Sequence, residues 1–361
     1  SKQLSSAPSV AIVGAGIGGV TTAWHCQRYG MDVTLFEAEA PAAGASGNPI
    51  GLLMPRVEAN DTPSARFFRD AFLYALQFYH VTAPEHIKVM GGTIAPDQDR
   101  PSRFVKLMSS HMWHKDDFHL REDGSLFVTH GATLSPKKTI HKILGYGNIH
   151  VQRKRVTSIQ QDHRSPVSLY SDENCVWHGD HVVIANGVHA HQFMKFNGML
   201  KASRGQIDIF KGSPPSHIIT SGSYIAPFGN NIAAGATYDD ISLEEPINID
   251  QTSTEKNKAA AKLLSDHDNI GDTLSSRASV RATTQDRYPI MGHVSPPAAL
   301  PANAVWGVTG LGSHGLSTGP YLGAHIAHQL AGTISPLPPS ALKLIEPMRF
   351  QKRKARQEKS S

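Results

Sequence analysis

Apolar positions along the chain recur with two periods, and the switches between them mark out elements. Val10, Ile12 and Val13 form one short apolar run, and Met31, Val33, Leu35 and Phe36 form another. Between them lies a helical stretch that Gly30 stops, so residues 9–37 predict a strand, a turn, a helix and a strand ending on Glu37. Residues 63–81 repeat apolar side chains at helical spacing. Phe68, Phe72, Ala75, Leu76 and Tyr79 share one face, which predicts a helix packed on the core. Strands are predicted at 124–129, 181–185, 204–210, 223–227, 231–236 and 305–309, and helices from Pro136 onward and at 254–265 and 319–330. His150 to Ile159 and Val167 to Tyr170 alternate like the partners of a hairpin or meander. No internal repeat is apparent. Strand-helix units alternate with antiparallel-type strands, which predicts a nucleotide domain assembled from separated segments with a β-rich domain inserted.

Composition narrows this picture. A chain of 361 residues, 40% hydrophobic and 18% charged, is globular and long enough for one or two domains. No apolar run is long enough to span a bilayer, and the opening SKQLSSAPS lacks the apolar centre of a signal peptide, so a cytoplasmic location is expected. Cys26 and Cys175 are the two cysteines and form no CxxC, which supports neither a disulfide framework nor zinc; Cys26 reads as a small buried hydrophobe. The 20 histidines are scattered, so no metal is expected, and most read as surface or hydrogen-bonding residues.

The net charge of +5 is carried in clusters: Lys137 and Lys138, Arg153 to Arg155, and Arg349, Lys352, Arg353, Lys354 and Arg356 near the end. Such runs usually form solvated faces or disordered ends. They also suit a polyanionic partner, because each phosphate neutralised releases counterions.

The candidate chemistry begins at Gly14-x-Gly16-x-x-Gly19. Gly14 permits a tight turn, Gly16 leaves room for a pyrophosphate against the backbone, and Gly19 lets the helix pack close to the strand. The helix start then presents free N–H groups and a partial positive charge. Glu37, eighteen residues after Gly19, can accept both ribose hydroxyls and disfavours the 2′-phosphate of NADP. A glycine triplet alone is equally an ordinary strand-to-helix turn; the flanking elements and Glu37 make it a dinucleotide site. The long loop 41–56 is of a length that tends to be functional. Taken by itself, the second glycine-rich turn, 310–315, is a plain helix-entry loop.

Several longer motifs carry a resemblance. They are GASGNPIGLLMPR (44–56) followed by ARFFRDAF, SRGQI (203–207), GATYD (235–239), VRATTQDRYPIMG (280–292) and GLGSHGL (310–316). With them the chain resembles, over nearly its whole length, flavin-dependent amine oxidases of the D-amino-acid, glycine and sarcosine oxidase type. Within that group it is most similar to oxidase domains that act on the wobble uridine, position 34, of tRNA.

The resemblance implies a mixed α/β fold: a Rossmann-like FAD-binding domain (1–90, 125–190 and 275–345) with an inserted antiparallel β-sheet substrate domain (91–124 and 191–274) and a basic tail (346–361). It implies FAD rather than NAD, with the ADP half on Gly14, Ala15, Gly16, Ile17, Gly19, Glu37 and Ala38. Ser46, Gly47 and Asn48 would lie beside the flavin, and Val156 and Ala185-Asn186-Gly187 would flank the adenine and ribose. Gly312, Ser313, His314, Gly315 and Leu316 would offer N–H groups to the pyrimidine end of the isoalloxazine, stabilising the charge of the reduced ring. Cysteine is absent from that turn, so the flavin is expected to be non-covalent.

Arg281 matches the arginine that grips a substrate carboxylate, a role suited to a planar two-pronged donor; its plainer alternative is a structural salt bridge, with Asp286 as one partner. Tyr224 and Tyr238 are weaker candidates for closing the site, and either could be an ordinary sheet residue. The implied reaction is FAD-dependent oxidation of carboxymethylaminomethyl uridine, releasing glyoxylate, with oxygen as acceptor. An oxidase of free glycine, sarcosine or another small amino acid, and a non-catalytic flavin-fold module bound to RNA, are the alternatives. The Ser-rich start fits either an excised domain, whose partner would be a methyltransferase, or a free-standing oxidase.

Overall fold

The computed structural model describes residues 7–96, 99–100, 102–147, 149–160, 166–194, 199–243, 245–265, 270–294 and 304–352. The chain divides into two compact units: Ser1–Ser46, Ile140–Lys201 and Arg281–Ser361 form the first, and Gly47–Thr139 with Ala202–Val280 form the second. Residues 47–90 and 125–139 therefore fall in the second unit, whereas the sequence expectation grouped them with the nucleotide domain.

The first unit is built on a six-stranded sheet in the order Ile290–His293, Val305–Thr309, His181–Ile184, Ser9–Val13, Asp32–Glu37, His150–Arg153. Neighbours run parallel except at the Ile290–His293 edge, which pairs antiparallel. The central strands are apolar throughout because both faces are covered: Val10, Ile12, Val33, Leu35, Val182 and Val183 have no exposure. Helix Ile17–Arg28 packs side by side with helix Gly315–Leu330, and Gly323 permits the approach. A Cβ there would lie 2.8 Å from the Thr22 backbone nitrogen.

The second unit holds a nine-stranded, mostly antiparallel sheet in which Leu200–Lys211 pairs with Asn231–Gly235, Asp239–Ile241 and Thr273–Thr284. Helix Pro63–Thr82 forms as predicted, with Thr62 as N-cap and the Phe68, Phe72, Ala75, Leu76 and Tyr79 stripe buried. Its start follows from Thr62 Oγ1 accepting the Ala65 N–H at 3.1 Å and from proline in the first turn.

Three sequence expectations need correcting. Residues 150–159 do not form one hairpin arm. His150–Arg153 joins the parallel sheet beside Asp32–Glu37, and only Ser158–Gln160 pairs antiparallel with Val167–Ser171. The last long helix starts at Gly315 rather than 319, and the Ser317 and Thr318 hydroxyls donate to the His314 carbonyl within its first turn. Arg349, expected in a solvated tail, is 2% exposed and clamps both oxygens of Asp286 at 2.9 Å. Arg353, Lys354 and Arg356 lie outside the described residues.

Candidate functional site

In the first unit the opening strand ends at Val13, and Gly14 turns at φ +108°, a conformation that side chains resist. The turn abuts the segment after strand His181–Ile184. A Cβ on Gly14 would sit 2.7 Å from the Ala185 carbonyl oxygen and from Asn186 Cα, and the Ala185 N–H donates to Val13 O at 2.8 Å. Gly19 is tighter still, its missing Cβ falling 1.9 Å from Gly14 O. Two distant stretches of sequence thus meet as bare backbone.

The neighbouring groups complete a cradle. Glu37 accepts the Ala15 N–H at 2.8 Å and the Glu39 N–H at 3.0 Å, which fixes its carboxylate beside the glycine turn. Ala38 follows it half-buried, and Val156 is buried in the same apolar cluster as Val13 and Phe36. Ser46 Oγ accepts the Ile17 N–H at 3.0 Å and so holds the loop against the helix start. No acidic residue occupies the first turn of that helix.

The second glycine-rich turn arrives at the same place. Gly312 (φ +56°) to His314 form a short 3-10 turn leading into Gly315, whose absent Cβ would touch Ile17 Cγ2 at 3.5 Å. Thr309 Oγ1 donates to Gly187 O at 2.7 Å, tying that turn to the Ala185-Asn186-Gly187 segment. The bare backbone, a helix start without opposing charge and a carboxylate at the end of the second strand fit the pyrophosphate and ribose of a dinucleotide.

Arg281 lies on strand Thr273–Thr284, half-buried, with its Nε atom shielded from solvent. The strand ends beside the second glycine turn, since Cβ atoms on Gly310 and Gly312 would meet the Thr284 and Thr283 methyls at 2.8 and 3.9 Å. Asp286, the acid considered as its salt-bridge partner, is gripped by Arg349.

Gly47, Asn48, Tyr224 and Tyr238 belong to the second unit. Tyr224 is half-buried opposite Gly235, and Tyr238 is 58% exposed. Tyr238 sits next to Asp239, whose carboxylate pairs with Arg204 at 3.1 Å, so the SRGQI and GATYD motifs are brought into contact.

Sequence reasoning missed Arg277. It is half-buried, it donates to Asn48 Oδ1 at 2.8 Å, and burial lowers its pKa from the ordinary guanidinium value. The signal was available: positions 277 and 281 are four apart, and on a strand they share a face. It was obscured because TLSSRASVRATT is mostly polar, and its alternation rests on small residues: Leu274, Ala278, Val280 and Ala282 are its apolar positions. Also missed was a buried polar network around Asp208, which accepts from Gln206, Thr254, Asn257 and Ser276. No cluster of three or more His, Cys, Asp or Glu able to hold a metal occurs among the described residues. Cys26 is buried, which pushes its thiol up to about 12.

A mixed α/β molecule with a parallel sheet, two glycine turns meeting over paired helix starts and a terminal carboxylate defines a dinucleotide-dependent oxidoreductase. The chain belongs to the FAD dependent oxidoreductase family, whose model matches residues 9–329. It is 29% identical over 349 residues to the tRNA 5-methylaminomethyl-2-thiouridine biosynthesis bifunctional protein MnmC of Maricaulis maris, covering 96% of this chain and 56% of that protein. The MnmC protein of Caulobacter vibrioides is 25% identical, covering 95% of this chain and 58% of the relative. The chain thus spans a little over half the length of these curated relatives. Among solved structures, glycine oxidase from Geobacillus kaustophilus superposes with a TM-score of 0.77 at 16% identity, covering 95% of this chain and 99% of that one. L-proline dehydrogenase from P.horikoshii gives 0.78 at 16%, with 97% and 99% covered. The resemblance to flavin amine oxidases and the predicted fold class are borne out.

Proposed function

We propose that this protein oxidises the carboxymethylaminomethyl group of wobble uridine 34 in tRNA, releasing glyoxylate and leaving an aminomethyl uridine, with dioxygen as the final acceptor. The observation that carries this reading is the meeting of both glycine turns, Glu37 and the end of the Arg281 strand in one unit. The MnmC relatives supply the RNA substrate. A methyltransferase that acts on the aminomethyl product would be the partner. A tRNA substrate is consistent with work in the cytoplasm.

FAD would be held without a covalent bond. Gly14 to Gly19 would face the pyrophosphate, Glu37 with Ala38 the ribose, and Val156 and Ala185 to Gly187 the adenosine side. Ser46, Gly47 and Asn48 would border the flavin, and Gly312 to Leu316 would direct backbone N–H groups to its pyrimidine end. When bound, FAD supplies two-electron oxidation of a carbon–nitrogen bond. The protein's own part is positioning and charge. The substrate arm is chemically an N-substituted glycine, and the guanidinium of Arg281 would bind its carboxylate through two parallel hydrogen bonds. No side-chain base is required, because a neutral amine carries its own lone pair. Tyr224 and Tyr238 would close over the carboxylate or amine.

The test is mass analysis of nucleosides from tRNA bearing carboxymethylaminomethyl uridine, incubated with the protein in air. Conversion to aminomethyl uridine is expected. Arg281→Ala should reduce it by about a hundredfold or more, as loss of substrate alignment does, while the protein stays yellow. Undiminished conversion removes Arg281 from its role. Peroxide release with free glycine or sarcosine, and none with tRNA, overturns the choice of substrate.

A further inference from the structure

An asparagine just past the end of a strand has three ordinary uses: it adopts a left-handed backbone, it caps the turn that follows, or it faces water. Asn186, which follows strand His181–Ile184, fits none of them. Its φ is −87°, a negative value that strains no side chain, and the left-handed step falls on Gly187 at φ +62° instead. It stands as N-cap to the short 3-10 helix Gly187–Gln192, yet its side chain makes no cap hydrogen bond. Its Oδ1 is shielded from solvent and has no hydrogen-bond partner among the described residues. A desolvated acceptor left this way weakens the fold.

The position of Asn186 narrows what could satisfy that oxygen. On one side the Gly14 turn comes so close that a Cβ there would lie 2.7 Å from Asn186 Cα. On the other, Gly187 O accepts Thr309 Oγ1 at 2.7 Å, at the entry to the second glycine turn. Strand order gives the same sequence of neighbours, with His181–Ile184 between Ser9–Val13 and Val305–Thr309, and Asp32–Glu37 one strand beyond Ser9–Val13. All of these residues belong to the first unit.

With FAD bound as proposed above, the pyrophosphate faces the Gly14 turn. Its oxygens only accept hydrogen bonds, so they leave Oδ1 unsatisfied. The groups flanking a pyrophosphate in a flavin dinucleotide are the adenosine ribose and the ribityl chain. Both carry hydroxyls, which donate.

We propose that Asn186 Oδ1 accepts a hydrogen bond from a sugar hydroxyl of FAD. This rests on the FAD reading of the cradle, and it adds a specific side-chain acceptor to a segment that otherwise contributes bare backbone. The oxygen that the fold leaves without a donor is the one that the cofactor supplies with one.

The experiment titrates full-length apoprotein with FAD and with ADP, and unfolds the apoprotein in urea. Asn186→Leu keeps the approximate bulk and removes the acceptor. Its Kd for FAD should rise about tenfold, the worth of roughly one buried hydrogen bond, while its urea midpoint holds or rises because the desolvated oxygen is gone. An equal loss of affinity for ADP assigns the hydroxyl to the adenosine ribose; unchanged ADP affinity assigns it to the ribityl chain. Asn186→Ala, which adds no bulk, should weaken FAD in the same way should the leucine variant not fold. Ligands lacking one hydroxyl supply the second readout: 2′-deoxy-ADP, 3′-deoxy-ADP and FAD analogues lacking a single ribityl hydroxyl. One of these deletions should weaken binding to the parent protein and weaken it less in the variant, whose acceptor is already missing. An unchanged Kd for FAD, equal deletion losses in both proteins, or a urea midpoint that falls in both variants overturns the assignment and leaves the FAD reading standing. A parent protein that binds no FAD overturns that reading, and this bond with it.

Discussion

The two units bury polar chemistry in opposite ways. In the first, the glycine cradle is backbone: missing side chains leave carbonyls and N–H groups bare, with the Glu37 carboxylate beside them. In the second, strand Leu200–Lys211 buries Arg204, Gln206 and Asp208, each satisfied by side chains of helix Gln251–Leu264 or by the loop before it. A backbone cradle tolerates changes of neighbouring side chains but not an added methyl. A side-chain network tolerates small shifts but not the loss of a partner, because the groups left behind are buried without compensation.

The sharpest way to separate them is Gly19→Ala. Its Cβ would fall 1.9 Å from Gly14 O, so the turn must open. FAD content, read from the visible spectrum after desalting, should fall below about a tenth of the parent value if, as proposed, the pyrophosphate relies on that backbone. Full retention would mean the glycine turn does not hold the cofactor.

Next in size is Asp208→Leu, which strips the acceptor from Gln206, Thr254, Asn257 and Ser276. Each neutral donor left buried without its acceptor costs about 1–3 kcal/mol, to be read from the urea midpoint. FAD content without denaturant should stay near parental. If FAD is lost and the midpoint holds, the contrast between the units fails.

The smallest effect is a pH dependence within the first unit. Burial, with His328 adding to it, lowers the His25 imidazole to about 3, and burial with His328 lowers His325 to about 4. Unfolded histidine titrates near about 6.5, so below that pH the unfolded chain takes up protons that the native one refuses. Stability is complete above 6.5 and declines as the pH falls toward 4, by up to about 1.4 kcal/mol per pH unit for each imidazole. Between pH 7 and 5 the melting temperature should fall, and less steeply in His25→Gln; an identical slope would exclude His25 as a source.

The contrast also explains what the sequence revealed. The cradle is local: Gly14, Gly19 and Glu37 fall within one strand-helix-strand unit, and each follows from the geometry of its neighbours. The convergence of Ala185 to Gly187 and Gly312 to Leu316 on that cradle came from resemblance, since nothing in either turn alone distinguishes it from a helix entry. The network was illegible because, Gln206 apart, its partners are 46 to 68 residues from Asp208 and are serine, threonine and asparagine, residues found on any surface. Arg277 was hidden in a mostly polar strand whose alternation rests on small residues, and a basic run near a terminus resembles a solvated tail even when one member, Arg349, is buried against Asp286.

The helices Ile17–Arg28 and Gly315–Leu330 lie alongside each other with the same polarity, Ile17 against Gly315 and Thr22 against Gly323. Each peptide column carries about half a positive charge at its start, so two like poles are forced together at one end. Such a pair repels itself until an anion arrives. A cofactor diphosphate held there, as proposed, would be a counterion that relieves this tension, and the holoprotein should then resist unfolding in proportion to the charge, not only the surface, that the cofactor brings.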